Sequence, residues 1–216
     1  MVSRLLRSAA NRQRARSCRL CRRRPLRRPG VDSVKIYPTP LDGLYEIRTT
    51  PVGDARGRFT RLFCEQELAP IRPGLHFTQI NISETRARGT LRGLHYQTPP
   101  AAEAKLIRCV HGSVFDVAVD LRKGSPTFLH WHAFELADDN DRAVFIPEGF
   151  AHGFQALTDE AQLLYMHTMP WTPACEAGLR HDDPRLAIEW PLEVSAISER
   201  DVSYPLLDDA FIGVHQ

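Results

Sequence analysis

The chain has 216 residues, 43% hydrophobic and 25% charged. That is enough apolar material for the core of one ordinary domain and too much for a disordered or collagen-like polymer. No run of about 18 apolar residues occurs, so no membrane-spanning helix is expected. The formal charge of +2 hides a split: eleven of the 28 basic residues fall in residues 1–30, leaving 17 basic against 26 acidic residues, a net of about −9, in the remainder. Cysteines stand at 18, 21, 64, 109 and 175. Five cannot all pair, so reduced thiols and a cytoplasmic location are expected.

Residues 1–30, MVSRLLRSAANRQRARSCRLCRRRPLRRPG, contain no Asp, Glu or Lys. They lack the apolar stretch of about seven residues that a secretory signal needs. Arg-rich, acid-free segments are shared by transit peptides and by tails that grip phosphates. Cys18 and Cys21 form a C-x-x-C, but no second pair follows to complete the four ligands of zinc. A disordered extension is expected there, ending at Pro29-Gly30, followed by a single domain over 31–216.

Beyond residue 34 short period-2 segments recur. Residues 64–69 have room for a helical turn. Residues 79–83 alternate polar and apolar. Read as a strand, 92–97 sends Arg92, Leu94 and Tyr96 one way and Gly93, His95 and Gln97 the other. Residues 105–111 set Lys105, Ile107, Cys109 and His111 on one face. Residues 114–121 set Phe115, Val117, Val119 and Leu121 opposite Asp116 and Asp120. Strands follow at 131–136, 143–146 and 163–169, and a last helical turn near 194–201. Gly- and Pro-containing turns separate them, and the sixteen prolines suit turns and strand edges. Many short strands at this spacing imply an all-β sandwich or barrel with few short helices.

Several polar residues sit oddly in these strands: His95, Lys105, Tyr165 between Leu164 and Met166, and His152 after the turn at Pro147-Glu148-Gly149. Pro-x-Gly-x-x-His is the second half-motif of cupin barrels. The first half here reads His95-Tyr96-Gln97, without the second His that metal cupins use, so no metal is expected.

The segments DARGRF (54–59), QINIS (79–83), GTLRGLHYQ (89–97), KLIR (105–108), VFDVAVDLRKGSPTF (114–128), IPEGFAHGF (146–154), LLYMHT (163–168), DDPRLAIEWP (182–191) and ISERD (197–201) run in order along the chain. Together they resemble the nucleotide-sugar 3,5-epimerases, the dTDP-4-dehydrorhamnose 3,5-epimerase family. The resemblance implies a double-stranded β-helix, a cupin-like jelly roll that works without metal or other cofactor, usually as a homodimer. It implies a nucleoside-diphosphate 4-keto-6-deoxy sugar as substrate, whose C4 carbonyl acidifies the hydrogens on C3 and C5. By position, His95 matches the family base and Asp201 its carboxylate partner. Lys105 matches the cation facing the enolate oxygen, and Tyr165 the proton donor of the opposite face. A neutral imidazole, an oriented carboxylate and a cation at the developing charge suit that chemistry.

The resemblance also implies that Arg56 and Arg92 contact the diphosphate or nucleotide, that Gln79 and Asn81 contact base or sugar, and that His152, Glu176 and Arg200 fall on family binding positions. Guanidinium forks suit phosphate oxygens. Two positions depart from the family. Arg61 stands where Glu is usual, and Trp171 where a base-stacking Tyr is usual. Both bear on which nucleotide and sugar are accepted. The alternatives are a keto-sugar ketoisomerase on the same scaffold, and a non-catalytic protein holding RNA through its basic arm. The acidic body argues against nucleic acid.

Overall fold

The computed structural model describes residues 34–215, so the expected extension and its Cys18 and Cys21 lie outside the described residues. The strands are β1 Val34–Pro38, β2 Tyr45–Thr49, β3 Val52–Asp54, β4 Gly57–Phe59, β5 Gln79–Thr85, β6 Leu91–Gln97, β7 Lys105–His111, β8 Ser113–Asp120, β9 Trp131–Ala137, β10 Arg142–Ile146, β11 Phe150–Ala156, β12 Ala161–His167 and β13 Glu176–Gly178. Two short helices, α1 Glu65–Leu68 and α2 Glu199–Ser203, complete the described residues with one 3-10 turn.

One antiparallel sheet has the order β1-β2-β10-β7-β12-β5, the other β13-β6-β11-β8-β9, and β3–β4 form a separate hairpin. This is the all-β jelly roll the sequence implies. Alternation dictates what each face does. Ile107 and Cys109 of β7, Leu163 of β12, Val114 and Ala118 of β8, and Phe150 and Phe154 of β11 share the inner core. Leu106, Leu164 and Met166 point to the other side of the first sheet, against Val34, Leu68 and Leu75. Val117, Val119 and Leu121 point out of the second sheet, where Leu186, Trp190 and Phe211 of the C-terminal segment cover them. Each fully buried aliphatic side chain contributes about 1.5–3 kcal/mol. With both outer faces covered by apolar side chains, the inner faces can carry polar groups at one end.

The expected strands at 79–83, 105–111, 114–121, 131–136 and 143–146 all form, nearly in place. The segment expected at 163–169 begins two residues earlier, and the last helical turn lies at Glu199–Ser203. His152 follows the turn at Pro147-Glu148-Gly149 as expected, as the third residue of β11.

Candidate active site

A cavity of about 690 Å³ opens between the sheets, within the size range of small-molecule sites. It is lined by Asn81, Arg92, His95, Lys105, His152, Tyr165, Trp171, Glu176, Arg200 and Asp201, ten of the residues singled out from sequence. They come from β5, β6, β7, β11, β12, β13, α2 and the turn after β12.

Arg92 and His95 are three residues apart, and strict alternation would set them on opposite faces. The register explains why both reach the cavity. His95 pairs with His152, but Arg92 pairs with Phe154. Three steps on β6 thus oppose two on β11, a bulge with one extra residue on β6. Two glycines make it possible. A Cβ on Gly93 would lie 2.6 Å from Gly153 Cα, and one on Gly153 would lie 2.8 Å from the Arg92 carbonyl oxygen. Gly93 also has φ +113°, a conformation L side chains avoid.

His95 Nε2 lies 2.8 Å from Asp201 Oδ1. Gly93 N–H donates to Asp201 Oδ2 at 3.1 Å, and Ser198 caps α2 by accepting from the Asp201 N–H at 3.1 Å. Burial works to raise the Asp201 pKa. The bonds from His95, Gly93 and Ser198 more than offset it and hold the carboxyl at about 2. An ionised carboxylate only accepts, so the proton lies on His95 Nε2 and Nδ1 keeps its lone pair. Arg200 Nη1 donates to Glu176 Oε2 at 3.0 Å; its Nη2 lies 3.0 Å from His95 Nε2, a contact between two donors once the Nε2 proton is given to Asp201.

Lys105 is 7% exposed. It donates to the His95 carbonyl at 3.4 Å and lies 3.2 Å from Glu103 Oε1. Tyr165, on the strand next to that of Lys105, packs edge-on to His152 of the facing sheet, ring centroids 5.7 Å apart. Its pKa is raised well above the usual phenol value, first by burial and then by the Asp116 charge. The phenol is therefore neutral and holds its proton. His152 Nε2 lies 2.8 Å from Asp116 Oδ2, and the buried Asp116 Oδ1 has no partner among the described residues.

Arg92 donates to Thr85 Oγ1 and to the Glu84 carbonyl, which aims its fork along β5. Trp171, 57% exposed, stands at the mouth. Gln79 does not line the cavity; its Oε1 accepts from Trp171 N–H at 3.0 Å and so holds that turn. Arg56 and Arg61 also lie outside the cavity lining. Arg56 is paired with Asp54 across the β3–β4 turn, and Arg61 with Glu67 of α1. Three cavity or near-cavity residues escape the sequence reading: Glu103, His167 and Asp116. Asp116 and His167 lie in segments that carry the resemblance, but the sequence assigns them no role, and the contacts that give them one, to His152 and Glu103, are with residues 36 and 64 positions away. Among the described residues no group of three His, Cys, Asp or Glu side chains could hold a metal ion.

The profile of the dTDP-4-dehydrorhamnose 3,5-epimerase family matches residues 38–209. The chain is 47% identical over 161 residues to the dTDP-4-dehydrorhamnose 3,5-epimerase of Pseudomonas aeruginosa, covering 73% of this chain and 86% of that protein. It is 40% identical over 179 residues to the dTDP-4-dehydrorhamnose 3-epimerase of Streptomyces niveus, covering 82% and 86%. Among solved structures it resembles the dTDP-6-deoxy-D-glucose-3,5-epimerase of Legionella pneumophila in complex with dTDP-4-keto-L-rhamnose. The TM-score there is 0.78 at 38% identity, over 85% of this chain and 99% of that one. With such matches along most of its length, the chain belongs to the dTDP-4-dehydrorhamnose 3,5-epimerase family.

Proposed function

We propose that this protein is an isomerase that inverts C3, C5 or both in a nucleoside-diphosphate 4-keto-6-deoxy sugar. The observation that carries the reading is the pairing of an oriented base and a neutral acid on facing sheets of one cavity. His95, on β6, has its Nε2 committed to Asp201, so Nδ1 takes the proton from carbon. Asp201 then stabilises the imidazolium. As the C4 oxygen gains negative charge, the Lys105 ammonium stabilises the enolate. Tyr165, on β12, returns a proton to the opposite ring face, and inversion results. General base and acid each contribute roughly 10²–10⁴ in rate. No metal or cofactor is required for this route, because the substrate's own carbonyl supplies the acidity.

Arg92 and Arg200 take the diphosphate side, Asn81, His152 and Glu176 the sugar or base, and Trp171 stacks on the base. Among the described residues Arg56 and Arg61 lie outside the lining of this cavity. A homodimer whose β3–β4 hairpin reaches a second copy accounts for them. The hairpin's Val52 and Phe59 are 65% and 76% exposed, and edge strand β5 leaves Ile80 and Ile82 bare at 62% and 58%. Such apolar exposure fits an interface. Among the described residues no helix is long and apolar enough to cross a membrane. A cytoplasmic setting, in keeping with the odd number of cysteines, completes the reading.

The test is incubation with dTDP-4-keto-6-deoxyglucose in D₂O, followed by NMR. Deuterium entering C3 or C5 with inversion supports the reading, and the pattern says which carbons react. A 3-keto product, formed when the C4 oxygen is protonated to an enediol that then gains a proton at C4 as its C3 hydroxyl loses one, would instead make the protein a ketoisomerase.

A further inference from the structure

Glu103 and His167 have no part in the reaction as described so far, yet both face the cavity. Their side chains are only 8% and 13% exposed. Glu103 lies just before β7 and His167 ends β12. Glu103 Oε1 receives Lys105 Nζ at 3.2 Å, and Oε2 lies 2.8 Å from His167 Nδ1. Burial would raise the Glu103 pKa, but the His167 hydrogen bond and the Lys105 charge outweigh it and leave it below the usual value. The carboxylate is therefore ionised and can only accept. That puts the His167 proton on Nδ1 and leaves Nε2 to accept from Asn81 Nδ2, 3.4 Å away. The imidazole lies parallel to the Tyr165 ring, at 11° and 5.8 Å between centroids.

One carboxylate thus holds Lys105 directly and is joined by His167, which itself contacts Asn81 and Tyr165. A lysine ammonium on four rotatable bonds has no preferred position of its own. Apart from Glu103, Lys105 has one acceptor among the described residues, the His95 carbonyl at 3.4 Å. Without Glu103 a buried cation would be left with that single long bond.

We propose that Glu103 and His167 are positioning residues for this reaction. Glu103 fixes the Lys105 ammonium against the enolate oxygen, and the His167 Nδ1–H, donated to Glu103 Oε2, holds that carboxylate in place. This rests on the proposed role of Lys105, and the experiment separates the two. Deuterium exchange into the substrate is followed by NMR in wild type, Glu103→Gln, Lys105→Ala and the double variant. Glu103→Gln keeps the shape and removes the charge. It is expected to lower kcat tenfold or more with KM within threefold, the mark of an interaction made in the transition state. In the Lys105→Ala background the same change is expected to cost less than threefold, since Glu103 acts through Lys105. A full tenfold loss in both backgrounds overturns the proposal and leaves the role of Lys105 standing. Wild-type exchange in Lys105→Ala overturns both. A second arm uses His167→Asn, which keeps an N–H near the Nδ1 position, and His167→Leu, which does not. Recovery of kcat to within threefold of wild type in the first, with tenfold loss in the second, supports the proposal even if Glu103→Gln does not fold. Wild-type kcat in His167→Leu removes His167 from it.

Discussion

Replacing Asp201 by Asn changes one heavy atom of the group that orients the base His95, and tests it where the geometry allows no escape. Asp201 accepts on both oxygens, from His95 Nε2 at 2.8 Å and from Gly93 N–H at 3.1 Å. An amide has one accepting end. If it faces His95, its NH₂ confronts the Gly93 N–H. If it faces Gly93, its NH₂ meets Nε2 and forces the His95 proton onto Nδ1, where the base should be empty. The carboxyl is held at about 2 against an ordinary 3.8, burial opposing and the His95, Gly93 and Ser198 bonds prevailing. That difference corresponds to about 2 kcal/mol of folded-state stability. Because the folded pKa is depressed, this stability is present above about pH 4 and lost as pH falls through about 2. Asp201→Asn should therefore slow deuterium exchange by about 10²–10⁴. It should lower Tm by roughly 5–10 °C at pH 7, with the gap to wild type narrowing in acid. Exchange within threefold of wild type, measured by NMR on a folded variant, would refute the assignment of His95 Nδ1 as the base.

Tyr165→Phe should leave deuterium exchange on the His95 side measurable while the yield of inverted sugar falls at least tenfold; equal loss of both in one NMR time course would contradict the division of roles. Trp171→Ala should raise KM about tenfold with kcat less affected, since stacking on a base is worth roughly 1–3 kcal/mol, as steady-state assays with the dTDP sugar would read. Gly153→Ala would place its Cβ 2.8 Å from the Arg92 carbonyl and 2.9 Å from Leu94. Overpacking of this kind costs about 1–3 kcal/mol, so thermal melts should drop by several degrees, and an unchanged Tm would mean the bulge can relax.

The alternating strands are readable because each has one apolar face to hide. In β7 and β8 the sequence pattern alone separates inner from outer side chains. β11 hides from such a reading because all seven of its residues are buried, and a strand covered on both sides shows no alternation. The orientation of Arg92 is unreadable for another reason: one inserted residue at Gly93-Leu94 shifts the pairing, and nothing in 91–97 marks a bulge except glycine. His95, Lys105, Tyr165 and Asp201 are found by resemblance, and the fold gathers them into one cavity. Glu103 and His167 are silent in sequence, because what gives them meaning is a contact between positions 64 residues apart.

Helix α2 buries only one of its residues, and that residue is Asp201. Its apolar Val202 is 40% exposed, and the half-exposed Arg200–Glu176 pair adds little. The carboxylate that orients His95 is therefore also the mooring of its own helix. Anchoring this segment and arming the base are one event. Local opening across residues 198–203 disarms the enzyme while both sheets stay intact. The ceiling on working temperature is then set by a five-residue helix tied down by the hydrogen bonds of one carboxylate, and stabilising the barrel elsewhere would not raise it.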